Sequence, residues 1–263
     1  MIWVVAGTRD ARQLIEKLEQ KRIKVLATVV SDYGEQLLRQ QASADLRIFK
    51  GALTPEGMIT FVQTQQVRAI VDATHPYAQV VSSALIDVAR QCQIPYLRYE
   101  RASSQLPEAE RLKVAATWDE CLAWLQQLPP GQGVFLATGS RKLPDLVPAL
   151  QAMGHRPVVR ILPDPEQVAL CLQMGLSPAQ VIAMQGPFSA DMNRAMFQQV
   201  GADCLVTKDS GHVGGALDKI EPALALGMDV IVVGRPSLAY PEMTDDAQHV
   251  LNWVAHVLEQ PAR

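Results

Sequence analysis

The chain has 263 residues, 48% of them hydrophobic and 19% charged, with a formal net charge of −3. This composition supports a sizeable buried core, excludes wholesale disorder, and argues against a non-specific nucleic-acid or membrane-surface binder. No apolar run approaches the roughly 18 residues of a membrane helix. The apolar start is too short for a secretory signal, and Cys92, Cys121, Cys171 and Cys204 lack metal or disulfide spacing.

Residues 2–8 form a continuous apolar run ending in glycine, which predicts a strand buried on both faces. Ala11, Leu14, Ile15 and Leu18 follow at helical spacing, with Asp10 as a candidate cap. Residues 24–30 predict a second buried strand, broken by Tyr33-Gly34, and residues 46–50 a weaker one. Thr54-Pro55-Glu56 opens a short helix to residue 64, because proline is tolerated in a first turn. A strand over 69–74 precedes a helix with Tyr77, Val80, Val81, Ala84, Leu85 and Val88 on one face, and a further strand begins at 95–98. A helix around 118–128 runs into Pro129-Pro130-Gly131, the clearest break in the chain.

The second half repeats the pattern. Strands are predicted over 133–138, 158–162, 181–185, 204–208 and 230–235, with helices carrying Met192, Ala195, Met196 and Val200, then Leu217, Ile220 and Leu224. A last helix over 245–258 places Val250, Leu251, Val254, Val257 and Leu258 on one side. Strand–helix alternation with apolar strands means parallel sheets with right-handed crossovers. The expected fold is α/β: two Rossmann-like parallel-sheet domains, 1–128 and 129–263, with a cleft between them.

In such sheets ligands bind beyond the carboxyl ends of strands. Gly7, Thr8 and Arg9 occupy such a loop; it lacks the G-x-G-x-x-G spacing, and it reads equally as a phosphate loop or a turn capped by Thr8 or Asp10. Thr138, Gly139, Ser140 and Arg141 hold the corresponding place in the second half. The loop from Thr207 and Lys208 through Ser210 to Gly215 combines hydroxyls, glycines and a lysine, which suits an anion. It is not a Walker A loop, since Lys208 precedes the glycines. His75, before Pro76 and Tyr77, projects from another strand end, where it can bind a carboxylate or donate a proton near neutral pH. Arg98, Arg101, Arg160 and Arg235 follow or end strands and can grip carboxylates or phosphates bidentately; singly, each reads more readily as a surface ion-pair partner. Gln185 opens Gln-Gly-Pro-Phe-Ser, in which Ser189 is a helix cap. No serine-hydrolase elbow, zinc-protease motif or calcium loop occurs, and no metal is expected.

The order of these segments carries a resemblance. Gly7-Thr8-x-Asp10-Ala11-Arg12, the run from Asp72 to Ala78 (DATHPYA), the run from Tyr96 to Arg101 (YLRYER), the Thr138 loop, the run from Gln185 to Ser189, the run from Thr207 to Gly215 and Arg235-Pro236 together resemble the precorrin-6A reductase family along nearly the whole chain. Ala6 departs from the pattern, in which a second glycine usually stands. The resemblance implies hydride transfer from a reduced nicotinamide to a carbon–carbon double bond of the precorrin macrocycle in cobalamin biosynthesis, with a proton added at the neighbouring carbon. It implies NADPH as cofactor, with NADH as the alternative in a branch acting on the cobalt-containing precorrin. Gly7, Thr8, Arg9, Thr138–Arg141, Thr207, Lys208, Ser210 and Arg235 are then expected to hold the cofactor. His75, Tyr77, Arg98, Arg101 and Gln185 are expected to meet the carboxylate-rich tetrapyrrole, with His75 as candidate proton donor. A cytoplasmic monomer or weak homodimer is expected. A nucleotide-sugar transferase and a non-catalytic nucleotide-binding module of the same fold are the rival readings.

Overall fold

Unbroken apolar strands are buried on both faces, and here they form the middle of two parallel sheets. The computed structural model describes residues 1–41, 46–103, 105–209, 211 and 215–260. It divides into one unit made of Met1–Ala102 with Ser237–Arg263 and a second made of Ser103–Pro236.

The first unit begins β1 (Ile2–Val5), α1 (Arg9–Gln20), β2 (Val25–Val29), α2 (Asp32–Gln41), β3 (Arg47–Lys50), α3 (Pro55–Thr64), β4 (Ala69–Asp72), α4 (Gln79–Gln91) and β5 (Tyr96–Tyr99). The second contains β6 (Leu112–Ala115), α5 (Trp118–Leu125), β7 (Gly133–Ala137), α6 (Leu143–Ala152), β8 (Arg156–Ile161), α7 (Pro165–Gln173), β9 (Val181–Ala183), α8 (Ala190–Gln199), β10 (Cys204–Lys208), α9 (Leu217–Ala225) and β11 (Asp229–Val233). The chain then returns to the first unit with β12 (Met243–Thr244) and α10 (Ala247–Glu259).

The first sheet runs β3-β2-β1-β4-β5-β12 and the second β9-β8-β7-β10-β11-β6, all pairs parallel. Each has the order of a doubly wound dinucleotide fold, turning at β1/β4 and β7/β10. The sixth positions are exchanged in sequence: β6 follows β5 of the first unit but pairs with β11, and β12 follows β11 but pairs with β5.

Side chains alternate across each strand. Ile2 and Val4 face Leu14, Ile15, Val250 and Val254, from α1 and α10, while Trp3 and Val5 face Met58, Phe61 and Leu85, from α3 and α4. In the second unit Val134, Leu136 and Val206 pack on α5, α6 and α7, and Phe135, Leu205 and Val232 on α8 and α9. No helix among the described residues is long and apolar enough to cross a membrane.

The expected boundary at 128/129 is corrected to 102/103. Pro129-Pro130-Gly131 is only the turn between α5 and β7, and its Gly131 N–H donates to the Gly154 carbonyl at 3.0 Å inside the second unit. The last helix, expected in the C-terminal half, covers the first sheet instead. β2 ends at Val29, before Tyr33 and Gly34, which lie in the first turn of α2, where the Gly34 N–H donates to Ser31 Oγ at 3.0 Å.

Candidate functional site

In the first unit the loops after β1 and β4 flank the point where the strand order reverses. Thr8 is the N-cap of α1: its Oγ1 accepts from Ala11 N–H at 3.0 Å and donates to the Ala73 carbonyl at 3.3 Å. The cap is thus Thr8, not Asp10, and its second bond ties the two loops together. Gly7 and Arg9 on either side are exposed. Asp10 instead pairs with Arg101 at 2.9 Å, which brings the loop after β5 to the same end of the sheet.

His75 is exposed, and its Nδ1 accepts from the Tyr77 N–H at 3.3 Å. Tyr77 is half-buried, its ring centroid 5.6 Å from that of His75. Beneath them Asp72 is fully buried and accepts from Thr74 N–H (3.1 Å), Thr74 Oγ1 (2.7 Å), Tyr96 OH (2.8 Å) and Arg98 Nη1 (2.8 Å). Arg98 Nη2 also meets Glu100 at 2.6 Å. Burial works against the charge of Arg98, but Asp72 and Glu100 more than offset this and hold its pKa above the usual value. Burial, then Asp72, pushes the Tyr96 phenol up as well, so it stays a hydrogen-bond donor.

The expectation that Arg98 meets a substrate carboxylate is corrected here. The side chain has no exposed surface and its guanidinium is engaged by Asp72, Glu100 and Thr74, so it fixes the floor of the His75 loop. Sequence pattern placed Arg98 at a strand end, as found, but its partner lies on β4 and is invisible to local spacing.

In the second unit the loops after β7 and β10 flank the corresponding reversal, on strands paired Ala137 to Thr207. Thr138 and Thr207 are buried. Gly139 has φ +73°, a conformation that favours glycine, and turns the chain into a short 3-10 turn, Ser140–Lys142, leading to α6. Arg141 is exposed, and Lys142 pairs with Asp145 at 2.9 Å. Lys208 is half-buried, with its ammonium 5.8 Å from the centre of the Trp118 ring. Burial lowers its pKa, and Arg141 and Lys142 lower it further, so these cations lie close enough to repel. Such a cluster at one strand switch point suits a phosphate.

Arg235 is mostly buried, with Nε 3.4 Å from the Asp209 carboxylate and donating to the Asp209 carbonyl at 3.3 Å. It braces the loop after β10, whose Asp209 also accepts from Gly211 N–H at 3.0 Å. Ser210 lies outside the described residues. Gln185 is exposed beyond β9 in the second unit, whereas His75, Tyr77 and Arg101 belong to the first. Asp72, Lys142 and Asp209 lie inside the loop motifs but carry no assigned role from pattern, an acid within a loop motif being the signal for the two aspartates; Trp118, in α5, has no local signal.

Two parallel sheets in this strand order, each with polar loops at its switch point, define a Rossmann-like α/β protein of the ligand-binding kind. The family model described as Precorrin-6x reductase CbiJ/CobK matches residues 1–255. A cobalt-precorrin-6A reductase of Priestia megaterium is 37% identical over 254 residues, covering 96% of this chain and 97% of that protein. A precorrin-6A reductase of Rhodococcus erythropolis is 32% identical over 257 residues, covering 96% of each. A solved structure described as CobK precorrin-6A reductase shares the fold, with a TM-score of 0.78 at 22% identity over 99% of this chain and 98% of that one. The chain belongs to the precorrin-6x reductase family. The oxidoreductase activity and the place in corrin-ring biosynthesis expected from its motifs are those of this family.

Proposed function

We propose that the chain reduces a carbon–carbon double bond of cobalt-precorrin-6A with NADPH, working in the cytoplasm as a monomer or weak homodimer. The cobalt-containing substrate is favoured by the 37% identity to a cobalt-precorrin-6A reductase. The single observation that carries the cofactor reading is the gathering of Lys208, Arg141 and Lys142 beside the β7/β10 switch point. Cations on adjacent loops, with hydroxyl-bearing Thr138 and Thr207 beneath, fit the phosphates of a dinucleotide, and the extra phosphate of NADPH gives the cluster more to bind than NADH.

When bound, the nicotinamide supplies the hydride; the chain's residues position, neutralise and protonate. In the second unit Thr138, Gly139, Ser140, Arg141, Thr207 and Lys208 hold the cofactor, and Arg235 braces Asp209; in the first unit Gly7, Thr8 and Arg9 offer a phosphate loop of their own. His75, Tyr77, Arg101 and Gln185 meet the macrocycle's carboxylates. His75, exposed at its loop, donates the proton to the neighbouring carbon from its protonated ring, in which Nδ1 no longer accepts from Tyr77 N–H. Arg98 acts only through Asp72 and Thr74, as a positioning residue.

The test is loss of reduced-nicotinamide absorbance when cobalt-precorrin-6A is added anaerobically to purified protein with NADPH or NADH. Turnover with NADPH at a higher kcat/KM than with NADH is expected; no turnover with either, with cobalt-precorrin-6A or its metal-free form, overturns the reading.

A further inference from the structure

Lys219 stands where a lysine is least expected. It is in the first turn of α9, at the end where the helix dipole is positive and cations are disfavoured. It is 9% exposed, and among the described residues its ammonium has no hydrogen-bond acceptor and no ion pair. The helix start itself is uncapped: Ala216 occupies the N-cap position and offers no side-chain acceptor.

A second cation, half-buried, lies close enough to act on it electrostatically. Arg160, near the end of β8, stacks its guanidinium on Phe188 (4.2 Å) and Phe135 (5.4 Å) and donates to Asn193 Oδ1 at 2.7 Å. No carboxylate pairs with it among the described residues. Asn193 is itself buried and donates from Nδ2 to the Asp218 carbonyl at 2.9 Å, which ties Arg160 to the first turn of α9. Burial lowers the pKa of Lys219 to about 8, and Arg160 adds to the effect; Asp218 and Asp209 oppose it. Arg160 is lowered by burial, to about 10.

A buried lysine at the positive end of a helix, with a half-buried guanidinium near it, is destabilising unless something negative joins them. An aliphatic residue at position 219 would avoid that cost. The arrangement also lies on the Phe135 and α8/α9 face of the sheet, whereas Lys208 lies toward Trp118 on the other face. It is therefore separate from the cation cluster described above.

We propose that Arg160, Lys219 and the first turn of α9 form a second oxyanion site in this unit, which takes a phosphate or carboxylate group of a ligand. The geometry is that of a preformed anion receptor: a stacked, oriented guanidinium, a neighbouring ammonium and the amino end of a helix. The site stands without the cofactor assignment of Lys208, since no residue is shared.

The test uses the whole chain and Lys219→Met, which keeps an unbranched side chain one atom shorter and removes the charge. Thermal unfolding is followed at constant ionic strength in sodium phosphate, sodium acetate and sodium chloride, and binding of NADPH, NADH and tricarballylate is measured by calorimetry. With no added oxyanion the variant is expected to melt higher than the wild type, because an unpaired buried charge has gone. The stabilisation that phosphate or acetate gives the wild type is expected to shrink in the variant, with affinity for the matching probe at least about tenfold weaker. Loss for NADPH and NADH assigns the site to a cofactor phosphate, and loss for tricarballylate alone to a carboxylate. Oxyanion stabilisation and affinities for every probe that match the wild type overturn the proposal. Lys208→Met, run in parallel, separates the two sites: it lowers NADPH affinity if the proposed cofactor loop is right, and it leaves the Lys219-dependent increment in place.

Discussion

Arg98 and Asp72 meet at 2.8 Å with neither side chain exposed, on neighbouring strands directly beneath the His75 loop. A buried pair of this kind contributes little relative to an apolar replacement of both partners, but removing one partner strands a charge. Arg98→Met is expected to destabilise the protein by about 3–5 kcal/mol. Urea unfolding followed by circular dichroism measures this; a loss below about 1 kcal/mol would show that water or a neighbour replaces the guanidinium.

Thr8 carries a cap and a loop-to-loop bond through one oxygen. Thr8→Ala is expected to cost about 1–2 kcal/mol. Thr8→Ser keeps the oxygen and is expected to recover most of that loss in the same urea midpoints.

Lys208→Ala is expected to weaken NADPH binding several-fold, and NADPH affinity in the wild type should fall as salt is raised, because the contact is partly exposed. Calorimetric titration checks both. An unaltered dissociation constant removes Lys208 from the cofactor site.

His75→Asn is expected to lower kcat by about 10²-fold, the usual scale for a general acid, while stability stays within about 0.5 kcal/mol because the ring is exposed. Steady-state kinetics with the macrocycle decide it. An intact kcat with a raised KM would make His75 a carboxylate ligand and not the proton donor.

Lys219 also predicts how stability varies with pH. Its folded pKa of about 8 lies below the ordinary 10.5, so between these values the unfolded chain binds the extra proton. Stability therefore rises with pH across that window, and the penalty is present in full below it. Buried cysteines and tyrosines, whose pKa values are raised, pull the other way from about pH 9 upward. The difference between wild type and Lys219→Met isolates the lysine: the variant's advantage at pH 7 is expected to shrink by up to a few kcal/mol toward pH 10.5. A constant difference across urea melts in this range would sink the assignment.

Much of the fold is legible along the chain because its central strands are built mainly of consecutive apolar residues. The run from Cys204 to Lys208 is a strand at the expected bounds, and Thr54-Pro55 opens α3 as expected. The edges were harder. In β6, Lys113 and Val114 are exposed, so the strand carries no continuous apolar run. α2 buries Leu38 and presents polar residues elsewhere, which reads as loop. β12 is two residues long and owes its existence to pairing with Arg98 and Tyr99, far away in sequence. The same limit applies to the site. That Arg98, Arg101, Arg160 and Arg235 follow or end strands is local information; which of them is neutralised depends on Asp72, Asp10 and Asp209 arriving from other elements. Lys219 did leave a trace, since a lysine in a first helical turn runs against the dipole.

The swapped edge strands decide when the protein can become stable. A chain halted at residue 102 has made β1–β5 but neither α10 nor the partner for β5, so the face carrying Ile2, Val4, Val71 and Leu97 has α1 on it but lacks α10. The first unit is thus complete only once the chain has been made to residue 259. The second half, uninterrupted from β6 to β11, has everything it needs by residue 233. Truncation near the carboxyl end is accordingly more damaging to the opening hundred residues than to the segment it directly follows.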